Sequence, residues 1–438
     1  MSDILSKAKA ARSAFIEIST LTTEEKNRAL NRIADKIWQN KEDLIEANQM
    51  DLEDAEKAVK KGVISEAIYH RLKFDESKIL NVVEMIKSIA SLEDPVGKTT
   101  YAIELDESLE LYRVTSPIGV VGVIFESRPD ALPQIASLCL KSSNAVLLKG
   151  GSEARNTNQF MFSLIKDATT KSGIPEGWIQ LLDTREEVTC LLELNDYVDL
   201  IVPRGSNSFV RYIQNNTLIP VLGHSEGVCH IYIDERADLD KAMEICMDAK
   251  VQDPSVCNAV DTLLVHREIA EKFLPIMVDK FNKCRVEVRG CPVTIKIMGD
   301  EVKTASDDDW GAEYLDYIVA IKVVDNIDEA IDHVNRCGSH HTDAIITEDH
   351  EAAMKFMRRV DSASVIWNAS TRFSDGFRYG LGAEVGISTA KIHARGPTGL
   401  EGLTIYKYYL KGSGQIVRDY IGKDAKKFTH RPLKKIWK

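Results

Sequence analysis

No stretch of this chain approaches the roughly 18 consecutive apolar residues that span a bilayer, and its start, Met1-Ser2-Asp3-Ile4, has no basic stretch leading into an apolar core. Neither a membrane span nor a secretory leader is expected, and the chain reads as cytoplasmic. No C-x-x-C pair occurs among the eight cysteines, at 139, 190, 229, 246, 257, 284, 291 and 337. That scatter suits reduced thiols in a large intracellular protein better than a disulfide framework. Basic charge is in deficit, with a net charge of −11 and a pI near 5.5. This argues against nucleic acid or an anionic membrane surface as partner, since either needs a basic face to displace counterions. A small molecule is the better partner. The glycine-based nucleotide signatures are also missing: there is no G-x-x-x-x-G-K-[ST], and Gly380, Gly382 and Gly386 miss the G-x-G-x-x-G spacing.

What is present is a chain of 438 residues, 44% hydrophobic, enough to bury a large core in two or three domains at a prior of about 150 residues each. Up to about residue 95 the pattern is helical, with apolar positions three and four apart from Asn27 to Trp38 and from Lys41 to Ala55. Alternation then takes over around the turn Asp106-Glu107-Ser108, which predicts a β-hairpin over 101–114. Short apolar runs follow at Gly119 to Phe125, Ala145 to Leu148, Trp178 to Leu182 and Leu200 to Val202. A second series lies at Thr262 to Val265, Ile318 to Val324, Ala344 to Thr347 and Ser364 to Trp367, with helices near 268–283, 327–336 and 349–360. The rhythm predicts an α/β protein with two doubly wound units. Residues 368–414 are rich in Gly, Ser, Thr and Arg and read mostly as loop, apart from a strand-like 403–410. The tail, Lys423 to Lys438, carries seven Lys/Arg against one Asp and reads as a solvated or subunit-bridging arm.

Three places carry residues suited to chemistry. Leu147-Leu148-Lys149-Gly150-Gly151-Ser152-Glu153 turns from a strand through glycines into a helix, a setting in which Lys149 and free N–H groups can hold a ribose and phosphate. His333, Cys337, His340 and His341 offer zinc-type ligands, but their spacing is no standard zinc pattern and the bland reading is helix end and packing. Cys257 follows Asp253-Pro254-Ser255-Val256, where a turn brings the thiol to a strand edge. A lone cysteine is more often inert, and an active one needs helix N–H groups or a cation to favour its thiolate.

Two longer stretches resemble the γ-glutamyl phosphate reductase branch of the aldehyde dehydrogenase superfamily. One is Val324 to Ile345, V-D-N-I-D-E-A-I-D-H-V-N-R-C-G-S-H-H-T-D-A-I. The other combines Asn368 to Phe373, Gly382 to Thr389 and His393 to Pro397, and the likeness runs from about Asn27 to Gln415. The resemblance implies an aldehyde-dehydrogenase-like fold of two doubly wound α/β domains plus a small β oligomerisation element. Residues 1–100 and 115–225, with a return segment at 371–395, would form the cofactor-binding domain, and 226–370 the catalytic domain. The segments 101–114 and 396–414 would form the oligomerisation hairpin and strand, leaving 415–438 as a basic tail. It maps the nucleophile onto Cys257, followed by Asn258, and leaves the other seven cysteines structural. It maps Lys149, Ser152, Glu153, Arg204, Gly205, Ser206 and Glu313 onto cofactor contacts, with NADPH as cofactor. Arg128, Arg372 and Arg395 lie in loops suited to the anionic substrate; for each of them a structural salt bridge is the rival reading.

The implied reaction is NADPH-dependent reduction of γ-glutamyl 5-phosphate to glutamate-5-semialdehyde through a cysteine thioester, in proline biosynthesis. The implied partners are a second copy of the chain in a homo-oligomer and a separate glutamate 5-kinase. Hydrolytic aldehyde dehydrogenases carry a water-activating glutamate in Glu-Leu-Gly-Gly, where this chain has Leu222-Gly223-His224-Ser225, with Glu226 nearby. Gln252-Asp253 and Asp261 also depart from the Arg-Pro and Glu expected of the branch. The rivals are a hydrolytic enzyme oxidising a semialdehyde and a non-catalytic scaffold of the same fold.

Overall fold

The computed structural model describes residues 2–126, 128–223 and 226–437. Five helices come first: α1 (Ser2–Ile18), α2 (Thr23–Gln39), α3 (Lys41–Lys60), α4 (Glu66–Leu72) and α5 (Glu76–Ser91). α2 starts where Thr22 and Glu25 cap each other's backbone N–H groups, and it buries Ala29, Leu30, Ile33, Ala34 and Ile37, one stripe at helical spacing. The predicted hairpin follows as β1 (Thr99–Asp106) and β2 (Leu109–Pro117), paired antiparallel across Ser108, whose φ is 60°.

A first parallel sheet contains β3 (Val120–Phe125), β4 (Ala145–Lys149), β5 (Ile179–Leu182) and β6 (Leu200–Arg204), in the order β5-β4-β3-β6. Its strands are buried on both faces, as their unbroken apolar runs require. Between them run α6 (Ala131–Lys141), α7 (Arg155–Thr170) and α8 (Arg185–Leu191), and α9 (Asn207–Asn215) follows β6. α6 and α7, backed by α2 and α5, pack on one side, while α1 and α8 cover the other.

A second parallel sheet holds seven strands in the order β10-β9-β11-β8-β7-β12-β13: β7 (Cys229–Ile233), β8 (Val260–His266), β9 (Glu287–Gly290), β10 (Lys303–Thr304), β11 (Ile318–Val324), β12 (Thr342–Ile346) and β13 (Ser364–Trp367). On one face lie α10 (Leu239–Val251), α11 (Arg267–Lys283) and α12 (Pro292–Met298). On the other lie α13 (Ile327–Cys337) and α14 (His350–Arg359). β7, β9 and β10 were not foreseen. β7 contains His230, which breaks the apolar run yet is fully buried because Asp343 accepts from both its backbone N–H and its ring Nδ1–H.

The late segment departs from the expected domain pattern. β14 (Gly386–Ser388) and β15 (Gly396–Thr398) form their own ribbon, so 396–398 do not belong to the hairpin element. Ala383, Val385, Leu400 and Leu403 join the core of the first unit. β16 (Thr404–Lys411) then pairs with β2 along its whole length. The basic tail, though largely exposed, docks on the hairpin. Its β17 (Arg431–Pro432) pairs with β1, Arg431 and Lys435 bind Glu104 and Glu110, and Trp437 packs on Tyr112 and Tyr409 with ring centroids 5.4 and 4.9 Å away. Two acidic side chains on the hairpin thus offset part of the tail's charge. Among the described residues, no helix is long and apolar enough to cross a membrane.

Candidate active site

Cys257 stands on the turn that joins α10 to β8, at the N-terminal edge of the second sheet, and its side chain is half-buried. The loop behind it is held closely. Gly227 lies so near that a Cβ there would meet the Cys257 carbonyl oxygen at 2.4 Å and its Cβ at 2.5 Å. The Cys229 thiol, on the first residue of β7, donates to the Cys257 carbonyl at 3.2 Å. Cys229 thus supports the backbone of Cys257, a structural role.

Asn258 and Arg372 belong to the same brace. Arg372 is 8% exposed, donates from Nε to Gln252 Oε1 at 2.8 Å and from Nη1 to Asn258 Oδ1, and so grips the cysteine loop on both sides. The Asn258 amide donates in turn to the Ser374 carbonyl at 2.9 Å. Both ends of the Asn258 amide are thus engaged in the brace. Arg372 clamps the loop and also has the Cys257 thiol within electrostatic reach. Arg395 is removed from the site: its Nη1 and Nη2 donate to the side chain and carbonyl of Asp361, both at 2.9 Å, tying its loop to the turn before β13. That pairing engages Nη1 and Nη2, while its buried Nε meets no partner among the described residues.

Other arginines converge on the thiol. Arg204, which ends β6, has the Cys257 thiol, Arg128, Glu384 and Asp130 within electrostatic reach, and burial is the main influence lowering its proton affinity. Arg71, on the last turn of α4, donates to the Ser255 carbonyl at 3.4 Å and feels Arg128 and Asp253. Sequence reading missed Arg71 because a cation in the last turn of a short helix looks like routine dipole compensation. Asp253 is occupied locally, accepting from the Ser255 N–H at 3.1 Å and its hydroxyl at 2.7 Å.

Beneath the cysteine lies a buried ion pair. Lys250, fully buried near the end of α10, has its Nζ 3.6 Å from Asp261 Oδ1 on β8. Asp261 also accepts from the N–H groups of Tyr314, at 3.2 Å, and Cys229, at 3.4 Å. Burial pushes the Asp261 carboxyl up to about 7, with Lys250 opposing, and burial lowers the Lys250 ammonium, with Asp261 opposing. Both shifts express the same cost of removing charge from water.

The residues expected to hold a cofactor gather at the C-terminal edge of the first sheet. Lys149 ends β4 and Arg204 ends β6, with β3 between them, so they stand two strand spacings, roughly 10 Å, apart. After Lys149 the chain turns through Gly150 and Gly151, where a Cβ would meet Asn158 Nδ2 at 2.3 Å and Glu153 Oε1 at 2.0 Å. Ser152 and Glu153 form a short 3-10 turn leading into α7. Asp51 of α3 pins that helix start by accepting from the N–H groups of Asn156 and Thr157 at 3.0 and 2.8 Å. Gly205 passes 2.8 Å from Glu126 Oε2, measured to a built Cβ, and Ser206 donates its N–H to the same carboxylate at 3.2 Å. Glu313 crosses from the second unit, accepting from Asn207 Nδ2 at 2.9 Å, which brings it to the start of α9. A strand edge, a tight glycine turn and a carboxylate reaching over from the facing unit fit an extended dinucleotide.

The four zinc-type residues do not form a ligand set. His333 meets His230 and Trp310 edge-on, His340 Nδ1 lies against the Asp361 carbonyl at 2.7 Å, and His341 Nδ1 lies against the Thr342 hydroxyl at 2.9 Å. Burial pushes the His333 imidazole down to about 3, so it stays neutral. Leu222, which stands at the place of the water-activating glutamate, is buried in the core of the first unit, while His224 and Ser225 of the same stretch lie outside the described residues. Glu226 is ion-paired with Arg211 of α9.

Two facing α/β units with a cysteine on the turn between them define the class. A model of the aldehyde dehydrogenase family matches residues 1–294. The chain is 54% identical over 431 residues, 98% of both chains, to a γ-glutamyl phosphate reductase of Natronomonas pharaonis. The solved γ-glutamyl phosphate reductase of Thermotoga maritima superposes with a TM-score of 0.90 at 41% identity, covering 94% of this chain and 99% of that one. At 18% identity, a likeness of fold alone, glyceraldehyde-3-phosphate dehydrogenase of Methanocaldococcus jannaschii, complexed with NADP, gives a TM-score of 0.68 and covers 94% of each chain. The chain belongs to the aldehyde dehydrogenase family, in its γ-glutamyl phosphate reductase branch.

Proposed function

We propose that the protein reduces γ-glutamyl 5-phosphate to glutamate-5-semialdehyde and phosphate in proline biosynthesis, with Cys257 as nucleophile and NADPH as cofactor. The observation that carries this reading is the half-buried Cys257 thiol on a braced turn, facing the first sheet where Arg204 ends β6. The relatives named above supply the substrate class.

The Cys257 thiolate attacks the γ-carbonyl, the bond to the phosphate oxygen breaks, and a thioester remains on the enzyme. The backbone N–H of Cys257 is the first candidate donor to the tetrahedral oxyanion, and it is fixed because Gly227, Cys229 and the Arg372 and Asn258 brace fix the loop. When bound, NADPH supplies the hydride that takes the thioester to the aldehyde level. Lys149, Ser152 and Glu153 at the first glycine turn, Gly205 and Ser206 at the start of α9, and Glu313 opposite them are the residues that would hold the cofactor. Arg128 and Arg71 supply positive charge for an anionic substrate that a chain of net charge −11 would otherwise repel. Homo-oligomerisation is assigned to the sheet β16-β2-β1-β17, whose Tyr406, Tyr408 and Leu410 are exposed. Glutamate 5-kinase, as a separate partner, would supply the acyl phosphate. A cytoplasmic location accords with eight free thiols.

The test is NADP reduction by glutamate-5-semialdehyde with and without inorganic phosphate. Turnover that requires phosphate is expected. Equal turnover in its absence would favour a hydrolytic enzyme, and none in either condition would favour a scaffold.

A further inference from the structure

Arg204 has a side chain whose task the cofactor reading leaves open. Its backbone closes the sheet edge, paired with Phe125 and accepting from the Glu126 N–H at 3.1 Å. Its Nη1, however, is buried and meets no hydrogen-bond partner among the described residues. A buried charged donor without an acceptor carries its desolvation cost uncompensated, so the arrangement calls for an anion. Arg128 lies within electrostatic reach and disfavours the Arg204 charge, which Glu384, Asp130 and the Cys257 thiol favour. The nearby carboxylate Glu384 already accepts from the Gly376 N–H at 2.9 Å. On the side of α9, Glu126 accepts from the Ser206 N–H at 3.2 Å. The Cys257 thiol is also within electrostatic reach of Arg204, so an anion held by that guanidinium would lie near the thiol.

We infer that Arg204 binds the phosphoryl group of the substrate, and inorganic phosphate in the reverse direction, at a subsite between Arg204, Arg128 and the Cys257 thiol, and does not serve the cofactor pyrophosphate. This rests on the acyl phosphate reading above. As the sulfur–carbon bond forms, the carbon–oxygen bond to phosphate breaks and its electron pair stays on the departing phosphate, which gains one negative charge and is then protonated by solvent. The Arg204 guanidinium, whose Nη1 is already withdrawn from water, stabilises that charge as it accumulates.

The experiment measures protection of Cys257 from iodoacetamide by inorganic phosphate, without nucleotide, read by peptide mass spectrometry so that the other cysteines do not interfere. Wild type should show saturable protection. In Arg204→Gln the protecting concentration should rise about tenfold or more, the worth of one charge-assisted hydrogen bond, and Arg204→Lys should recover part of it. In both variants the Kd for NADPH, followed by its fluorescence, should stay within about twofold of wild type, which also reports that the variant is folded. Should Arg204→Gln fail to fold, Arg204→Lys is read instead, with protection weakened but present. Absence of protection in wild type, unchanged protection in the variants, or an NADPH Kd that rises in step with that for phosphate would overturn the assignment. Protection by phosphate in a protein that shows no phosphate-dependent reduction would support the subsite and sink the reaction, so the two failures are distinguishable.

Discussion

Gly227 is the residue on which the geometry of the nucleophile turns. Any side chain there would collide with the Cys257 carbonyl and Cβ, both nearer than 2.6 Å to a built methyl, and the loop would have to move. A displacement near 1 Å at a reacting atom is worth on the order of 100-fold in rate. Gly227→Ala should therefore lower kcat by about that factor while leaving NADPH binding within about twofold, as stopped-flow turnover and fluorescence titration would reveal. Undiminished kcat would mean that the loop is not held as described. The turn-forming Pro254-Ser255 and the surrounding family motif single out Cys257 in the sequence. Nothing there points to Gly227, Cys229 or Arg71, since contacts such as those across 28 and 184 residues of chain leave no local pattern. Sequence reading overstated Arg395, whose Asp361 partner could not be inferred from spacing.

Between elements, α10 and β8 are coupled by the Lys250 and Asp261 pair directly beneath the cysteine turn. Removing one partner of a buried pair leaves a charge without compensation and costs about 3 to 5 kcal/mol, whereas removing both costs far less. Lys250→Met should show that loss in urea unfolding, and Lys250→Met with Asp261→Asn should regain most of it. The pH dependence follows from the sign of the shift. Because the folded carboxyl is raised to about 7 from an ordinary 3.8, its contribution is most favourable below the unfolded value and is lost as pH rises through the folded one. The single variant should therefore lose more at pH 8 than at pH 5; a pH-independent loss would contradict a titrating Asp261. Most elements here were legible from periodicity, including the hairpin, β3 to β6 and α11. β7 was not, because His230 interrupts its apolar run and needs Asp343 to be tolerated. Nor was the folded tail, since a run of lysines carries no sign of the acidic hairpin that receives it.

In the whole molecule the decisive fact is that the C-terminal edge of one parallel sheet faces the cysteine-bearing N-terminal edge of the other, with Glu313 reaching over to Asn207. The alternation of strands and helices announced two α/β units but not how they face each other. The long-range contacts draw that relation. On the proposed reaction, Cys257 carries the acyl group between the two units. The most direct test mixes the protein with glutamate-5-semialdehyde and NADP in the absence of phosphate. The account predicts a burst of about one NADPH per protomer that then stalls, a γ-glutamyl adduct on the peptide containing Cys257, renewed turnover when phosphate is added, and no burst in Cys257→Ala. Sustained turnover without phosphate, or a burst that survives in Cys257→Ala, would contradict it.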